Sequence, residues 1–389
     1  MSGPLALLTA VFSNANMVDS AADPDAMEAA VGDLCGREVA LLGEASHGDG
    51  ETAAFKVALV RRLVSECGFN AIFFESSHYD FLEFERLLAE GVPVTTAMLG
   101  SAVGGLWSGD REFQPLLSFL LAEARAGRLR LGGLDDQLGS ANAFYSLEAM
   151  ARALAAHLGG ARSDAAREVL ERRIFWRYSR QTPYDPKERD RVIACVAEIE
   201  AAVKAGKDGP RGRAQALQEL ANIHRLLNRD FSDPADQLRE RARSMHANFR
   251  WLADRLPPGS RIVVWAGTSH VARDASVSGQ YGPGENLGAL IDRDHGDRSF
   301  ALAFSAAGGS HRNGRDTAAI LPAAADSLEA RALAGCEGAG AVYLGPSALA
   351  NLGTVPASVF FHRPATADWH RVLGGIVVFR EERPPTPAE

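Results

Sequence analysis

Short apolar runs alternate with long helical stretches at both ends of the chain. Val39-Ala40-Leu41-Leu42-Gly43 is apolar at successive positions and predicts a buried strand. A polar loop follows, then a helix from about Glu51 to Glu66 in which Phe55, Leu59 and Leu63 lie four apart and share one face. Cys67-Gly68 ends this helix, with Gly68 suited to a left-handed cap. Ala71–Phe74, Leu129–Leu134 and Ile262–Ala266 predict the second, third and fourth strands. Strands of this kind, apolar throughout and separated by helical crossovers, belong to a parallel sheet covered on both faces. The stretch from 140 to 255 differs: it is rich in Ala, Arg, Leu and Glu, and Gly and Pro fall only at breaks. It predicts a set of helices inserted between the third and fourth strands, with mixed charges on solvated faces. Phe300–Phe304, Val342–Leu344, Val359–Phe361 and Ile376–Phe379 predict short strands in the final third, and Pro384–Glu389 reads as a frayed tail. The expectation is an α/β core of residues 1–139 and 256–389, with 140–255 as a helical insertion forming one wall of a cleft.

Composition narrows the function classes. At 389 residues the length suggests two domains, or one large domain with an insertion. With 46% hydrophobic and 23% charged residues, the chain is not globally disordered. Lys plus Arg is 41 against 49 Asp plus Glu, a net charge of −8, which argues against nucleic acid or an anionic membrane as the main partner. Cys35, Cys67, Cys195 and Cys336 have no ligand spacing and do not read as a disulfide framework, so a reducing cytoplasm is the simpler setting. The apolar run Leu5–Phe12 is short and lacks a basic stretch before it, unlike a signal peptide. No segment reaches the ~18–20 apolar residues of a membrane helix. The expected partner is a small-molecule substrate.

Ligands of open parallel sheets bind beyond the carboxyl ends of the strands. After the first strand comes Gly43-Glu44-Ala45-Ser46-His47-Gly48-Asp49-Gly50-Glu51. Glu75-Ser76-Ser77-His78 follows the second, Asp135-Asp136 the third and Gly267-Thr268-Ser269-His270 the fourth. All four ends deliver ionisable groups to one edge, which marks a catalytic or ligand site. Glu51 suits a favourable charge at a helix start and Asp49 suits its N-cap. His78, opening the next helix, reads either as a surface residue or as a second ring for the site. Glu75 ends an apolar strand, where an unpaired carboxylate is costly, so it requires a partner. A carboxylate beside an imidazole, as in Glu44 and His47, is the minimal general-base unit: it fixes the tautomer and stabilises the imidazolium formed. A second histidine or a cation then serves the oxyanion or the leaving alcohol. Ser46 and Ser269 adjoin histidines, but no G-x-S-x-G elbow accompanies them.

These residues resemble the erythromycin esterase family. The likeness is carried by Gly43-Glu44-Ala45-Ser46-His47-Gly48 with Glu51, the helix bearing Lys56, then Gly68-Phe69 and the strand ending in Glu75. Trp107 with Glu112, Gly133-Leu134-Asp135, the helix with Arg241, Met245 and Asn248, and Trp265-Ala266 with His270 agree more weakly. The resemblance implies a three-layer α/β/α core around a mostly parallel sheet, and metal-independent hydrolysis of a macrolide lactone by water, with no cofactor. By position it implies His47 as general base, Glu44 and Glu75 orienting it and the water, and His270 assisting at the acyl oxygen or leaving group. Lys56, Trp107 and Asp135 fall on the substrate side of the same site. Two positions depart from the family: Gly267 replaces the first histidine of its W-A-H-N-x-H element, and Lys56 replaces an arginine, keeping the charge but losing the bidentate fork.

The leading expectation is an esterase-like hydrolase acting on a lactone or ester of a bulky natural product. A non-hydrolytic biosynthetic enzyme (lyase, dehydratase or cyclase) using the same His/Glu set is the alternative, since losing one histidine fits a changed reaction. A metal- or haem-binding protein is a further alternative, because Glu44, His47, Glu75 and His270 are all good donors, although no H-E-x-x-H spacing organises them. A catalytically silent binding protein is the last. Trp176 and Tyr178 in the helical stretch either stack on the ligand or pack within the helices.

Overall fold

A computed structural model describes residues 23–139, 143–178, 183–206 and 210–388, and the run Leu5–Phe12 lies outside them. Eleven strands are present among the described residues: β1 (Val39–Leu42), β2 (Ala71–Ser77), β3 (Arg130–Asp135), β4 (Ile262–Trp265), β5 (Ser299–Ala306), β6 (Ser310–Asn313), β7 (Asp316–Ala319), β8 (Ala341–Leu344), β9 (Thr354–Phe360), β10 (Arg363–Asp368) and β11 (Gly375–Phe379). The main sheet has seven strands in the order β3-β2-β4-β1-β5-β11-β8. Its strands are parallel except for β8, which runs antiparallel to β11. β6–β7 and β9–β10 are separate antiparallel hairpins.

The continuous apolarity of the strands follows from cover on both faces. Alternate residues such as Ala40, Leu42, Ile72, Phe74, Val263 and Trp265 point into one core. There they meet α1 (Pro24–Leu34), α2 (Gly50–Cys67), α3 (His78–Ala89), α4 (Thr96–Val103), α5 (Gly105–Ser108) and α6 (Gln114–Arg125). The other set, Val39, Leu41, Phe73 and Val264 among them, points into a second core with Met245 and Phe249. Burying each large apolar side chain in these cores contributes about 1.5–3 kcal/mol. The fold is thus a three-layer α/β arrangement around a mostly parallel sheet.

Between β3 and β4 the chain is helical: α7 (Met150–Ala155), α8 (Gly160–Tyr178), α9 (Pro186–Ala205), α10 (Pro210–Asn228) and α11 (Pro234–Ala253). α7 to α10 share an apolar cluster of their own, including Leu170, Val196, Ile199 and Leu220. By contrast α11, which carries Met245 and Phe249, lies on the sheet. Asn248 of α11 is buried and donates to Leu134 O at 2.8 Å, fixing that helix against β3.

Several local expectations are corrected. Glu75 does not end β2, which continues to Ser77 through an irregularity: Phe74 pairs with Gly133 but Ser77 with Asp135, three steps against two. This bulge leaves no room at Gly133, where a Cβ would lie 2.3 Å from Ser77 O. Asp49 occupies the N-cap position of α2 without capping it; Glu382 instead accepts from Glu51 N at 2.6 Å and Thr52 N at 3.2 Å. His78 is fully buried rather than at the surface. Pro384–Ala388 is packed, not frayed: Thr386 O accepts from Arg111 N at 2.7 Å and Thr386 N donates to Glu112 at 2.9 Å. Phe361 lies in the β9–β10 turn, not in a strand; it and His362 both have left-handed φ, 55° and 54°. Gly68, as expected, adopts φ 72° at the end of α2.

Cys35 and Cys67 form a disulfide, with Cα atoms 5.0 Å apart, and join the ends of α1 and α2. The same junction is held by Arg261, whose Nη1 donates to Cys35 O at 2.7 Å and Cys67 O at 2.6 Å. Cys195 and Cys336 are free. A bridge across 32 residues stabilises by about 2–4 kcal/mol. Thiol titration of the denatured, unreduced chain should therefore find two reactive cysteines, rising to four after reduction, and reduction should lower the unfolding free energy by a comparable amount. Four thiols without reductant would show that the pair is not oxidised.

Candidate active site

The carboxyl ends of β3, β2, β4 and β1, adjacent in the sheet, bring their ionisable residues to one edge. The first unit is centred on Glu44, just after β1 and 3% exposed. Its Oε2 accepts from Lys56 Nζ at 2.5 Å, and its Oε1 accepts from Trp107 Nε1 at 2.7 Å and lies 2.6 Å from His47 Nδ1. Burial favours the neutral acid, but the charges of Lys56 and His47 and their hydrogen bonds outweigh it and hold the carboxyl below its ordinary pKa. Lys56 is fully buried on α2, with Nζ 4.1 Å from the centre of the Trp265 ring. Burial lowers its pKa while Glu44 opposes the loss of charge.

His47 packs edge-on against Trp107, ring centres 5.0 Å apart, and its side chain is 35% exposed. Burial disfavours its charged form, yet the hydrogen bond to Glu44 and the charge of Glu75 raise its pKa above the ordinary 6.5.

The second unit is centred on Glu75, which the β2 bulge directs into the cleft. Its Oε1 lies 2.9 Å from His270 Nε2 and accepts from Arg241 Nη2 at 3.0 Å, while Oε2 accepts from Gly267 N at 2.9 Å. Burial raises its pKa, but His270, His47 and Arg241 together hold it well below the carboxylate range. His270 Nδ1 is 3.1 Å from the Tyr281 hydroxyl. With Tyr281 donating to Nδ1 and Nε2–H donating to Glu75, both ring nitrogens are engaged. Arg241 also grips Asp135 Oδ2 from Nε at 3.1 Å and Nη2 at 2.6 Å, and after the opposing cost of burial its charge holds Asp135 below its ordinary pKa.

Gly267 lies where the two units meet. A Cβ there would be 3.6 Å from His47 Cε1 and 3.7 Å from Glu75 Oε2, ordinary contact distances. Its φ of −66° makes no demand for glycine either. Space beside the His47 ring, rather than steric need, is what this residue supplies.

Two cavities share His47, Glu75 and Arg241. One, about 300 Å³, is closed by Tyr281, Leu238 and Phe361; the other, about 430 Å³, runs along Ser101–Trp107 to Gln137 and Leu138. Gln137 and Leu138 also line a third cavity of about 430 Å³ that includes Trp176. Trp176 stacks on Tyr184 at 4.6 Å and lies under Arg173. The side chain of Tyr178 lies outside the described residues. His78 is not brought to His47: it lines a separate cavity of about 250 Å³, with Nδ1 2.7 Å from Gly133 O. Burial there lowers its pKa to about 4. Glu112 faces the C-terminal tail, bonded to Arg383 and Thr386. The Ser46 hydroxyl is 3.2 Å from His311 Nδ1, and Asp49 accepts from Ser46 N at 2.8 Å.

Arg241 and Tyr281 were missed as site residues. Arg241 carried a signal, since it lies in the helix with Met245 and Asn248 that matched the family. Tyr281 carried none, because it sits in a glycine-rich loop far from any strand end in sequence.

The erythromycin esterase family model matches residues 64–371, a span that begins after the Glu44–His47 loop and contains Glu75, Asp135, Arg241 and His270. YbfO of Bacillus subtilis (strain 168), provisionally named a hydrolase, is 22% identical over 316 residues, 74% of this chain and 69% of that protein. A Bacillus cereus protein of known structure superposes with a TM-score of 0.70 at 16% identity, covering 95% of both chains. A succinoglycan biosynthesis protein gives 0.70 at 15% identity and 92% of both chains. The erythromycin esterase EreC, as a histidine mutant in an open conformation, gives 0.65 at 14% identity, over 91% of this chain and 93% of that one. With its family model matched over most of its length and its fold shared with EreC, the chain belongs to the erythromycin esterase family.

Proposed function

We propose that the protein is an esterase-like hydrolase in which His47 activates water for attack on a lactone or ester of a bulky natural product. Family membership supports hydrolysis in general. The observation that carries the finer reading is the Glu44–His47 pair: Nδ1 is held at 2.6 Å by a buried carboxylate, which leaves Nε2 free for a water in the cleft. As the water attacks, Nε2 takes its proton, and Glu44 stabilises the imidazolium. Glu75, held by Arg241 and Gly267 N, places a second negative charge near the ring. His270 serves the acyl oxygen or leaving alkoxide through its Nε2–H, which the substrate draws away from Glu75. The shared lining of three cavities supports a large substrate, with α11 and α8 forming one wall of the cleft.

His47→Ala removes the proton acceptor and should lower kcat by roughly 10²–10⁴-fold with a much smaller change in KM. The measurement is turnover on the best substrate of a panel that includes erythromycin and simpler lactones and esters. Product mass gives the reaction type, since hydrolysis adds one water. Wild-type turnover in His47→Ala would falsify the assignment and turn the cleft into a binding site.

A base works only when deprotonated, and the pKa of His47 is raised in the folded chain. Activity should therefore be present above that value and fall as pH drops through it, with an acid limb centred above 6.5. The stability effect has the opposite sense: what protonated His47 contributes to the fold is fully present below the unfolded value and is lost as pH rises through the folded one. A pH–rate profile with its acid limb below 6.5 would contradict the Glu44–His47 coupling.

Trp107→Phe removes one donor from Glu44 Oε1 and should strengthen that oxygen's hold on the imidazolium. The acid limb should then move to higher pH, with kcat on the plateau reduced less than in His47→Ala. An acid limb that stays in place would mean that Trp107 only packs against the ring.

A further inference from the structure

We propose a second site outside the catalytic pair: a first-row divalent transition metal, with Zn²⁺ as its representative, held by Asp49, His311 and His362. The three come from distant parts of the sequence, the N-cap of α2, strand β6 and the β9–β10 turn. One nitrogen from each histidine and one Asp49 oxygen lie within 4.8 Å of one another. Two imidazoles and one carboxylate form a donor set suited to such ions, and three protein ligands leave further positions for water.

Three observations point to a missing cation rather than a finished polar cluster. His362 is buried with Nε2 2.8 Å from Asp49 Oδ1, but its Nδ1 is buried without any hydrogen-bond partner. Asp49 and Glu382, both 3% exposed, sit at the same end of α2. Neither has a Lys or Arg within ion-pair reach among the described residues, and the one partner of Asp49 at that range is His362. The His311 and His362 rings lie 4.6 Å apart, close enough for each to offer a nitrogen to a single ion.

Around a tetrahedral ion with bonds of about 2.0–2.2 Å the donors sit about 3.4 Å apart, so the pairs here would close by up to about 1.4 Å. His311 is on the partly exposed strand β6, which gives the ion a path from solvent. The site would clamp the loop that carries His47 to the turn that carries Phe361. It would act as a fastener behind the cleft, not as the reaction's Lewis acid.

The test uses the full chain, freed of any histidine tag and treated with chelator, then titrated with Zn²⁺ by calorimetry and with Co²⁺ by visible absorption. One equivalent should bind in the micromolar range or tighter, and Co²⁺ should give the d–d bands of a low-coordinate site. His311→Ala and His362→Asn should each weaken binding at least tenfold; asparagine is chosen because it tolerates the left-handed backbone at 362. His47→Ala should leave affinity within about twofold, which separates this site from the Glu44/His47 unit. Absence of binding at 100 µM metal, binding unchanged in His311→Ala, or binding lost in His47→Ala would each overturn the proposal. If His362→Asn does not fold by circular dichroism, His311→Ala alone decides.

Discussion

The buried carboxylate of Glu44 is the constraint around which the rest of the site is arranged. An ionised group with 3% exposure survives in a protein only when nearly every lone pair is satisfied. Here three donors arrive from three elements: Lys56 from α2, Trp107 from α5 and His47 from the loop between β1 and α2. Each is itself pinned, Lys56 over Trp265 of β4 and Trp107 edge-on to His47. Moving any of these elements would strand a charge. The chemistry of His47 and the packing of the first helices against the sheet are in this sense one interaction.

The topology makes such a concentration possible. Four adjacent parallel strands end at the same edge, so residues more than two hundred positions apart in sequence become neighbours. The β2 bulge then turns Glu75 toward Arg241 instead of leaving it in the ladder, at the cost of a glycine at 133. Arg241 arrives from α11, which Asn248 ties to β3. The two carboxylate–imidazole units are thus supported from opposite sides of the sheet edge, Glu44 by α2 and Glu75 by α11.

What was legible in the sequence follows from this geometry. The sheet strands were readable because cover on both faces forces long apolar runs, and the strand-end residues because a parallel sheet collects them at one edge. β6 and β7 were not readable: Ser310–Asn313 is half-buried, Asp316–Ala319 is largely exposed, and neither carries an apolar run. The role of Glu382 in capping α2, the packing of Pro384–Ala388 and the pairing of Cys35 with Cys67 were also hidden. Each is a contact between segments whose local sequence is indifferent to it. Asp49 shows the same point from the other side: its position is that of an N-cap, but a distant glutamate takes the cap and frees its carboxylate for His362.

Gly267 separates this chain most clearly from the family pattern, and neither its φ nor its surroundings require glycine. Its contribution is a backbone N–H to Glu75 and a gap between Glu75 and His47. An imidazole in that gap would offer another proton carrier; without it, charge balance falls on fewer groups. Glu44, Glu75 and Asp135 face two cations, Lys56 and Arg241. With neutral histidines the cluster carries a surplus negative charge. His270 has both ring nitrogens committed, whereas His47 is partly exposed and has its pKa raised by two of these carboxylates, Glu44 and Glu75. A proton taken up by His47 therefore neutralises the surplus instead of adding charge to a buried site. That electrostatic bias toward the imidazolium persists without the family's additional histidine.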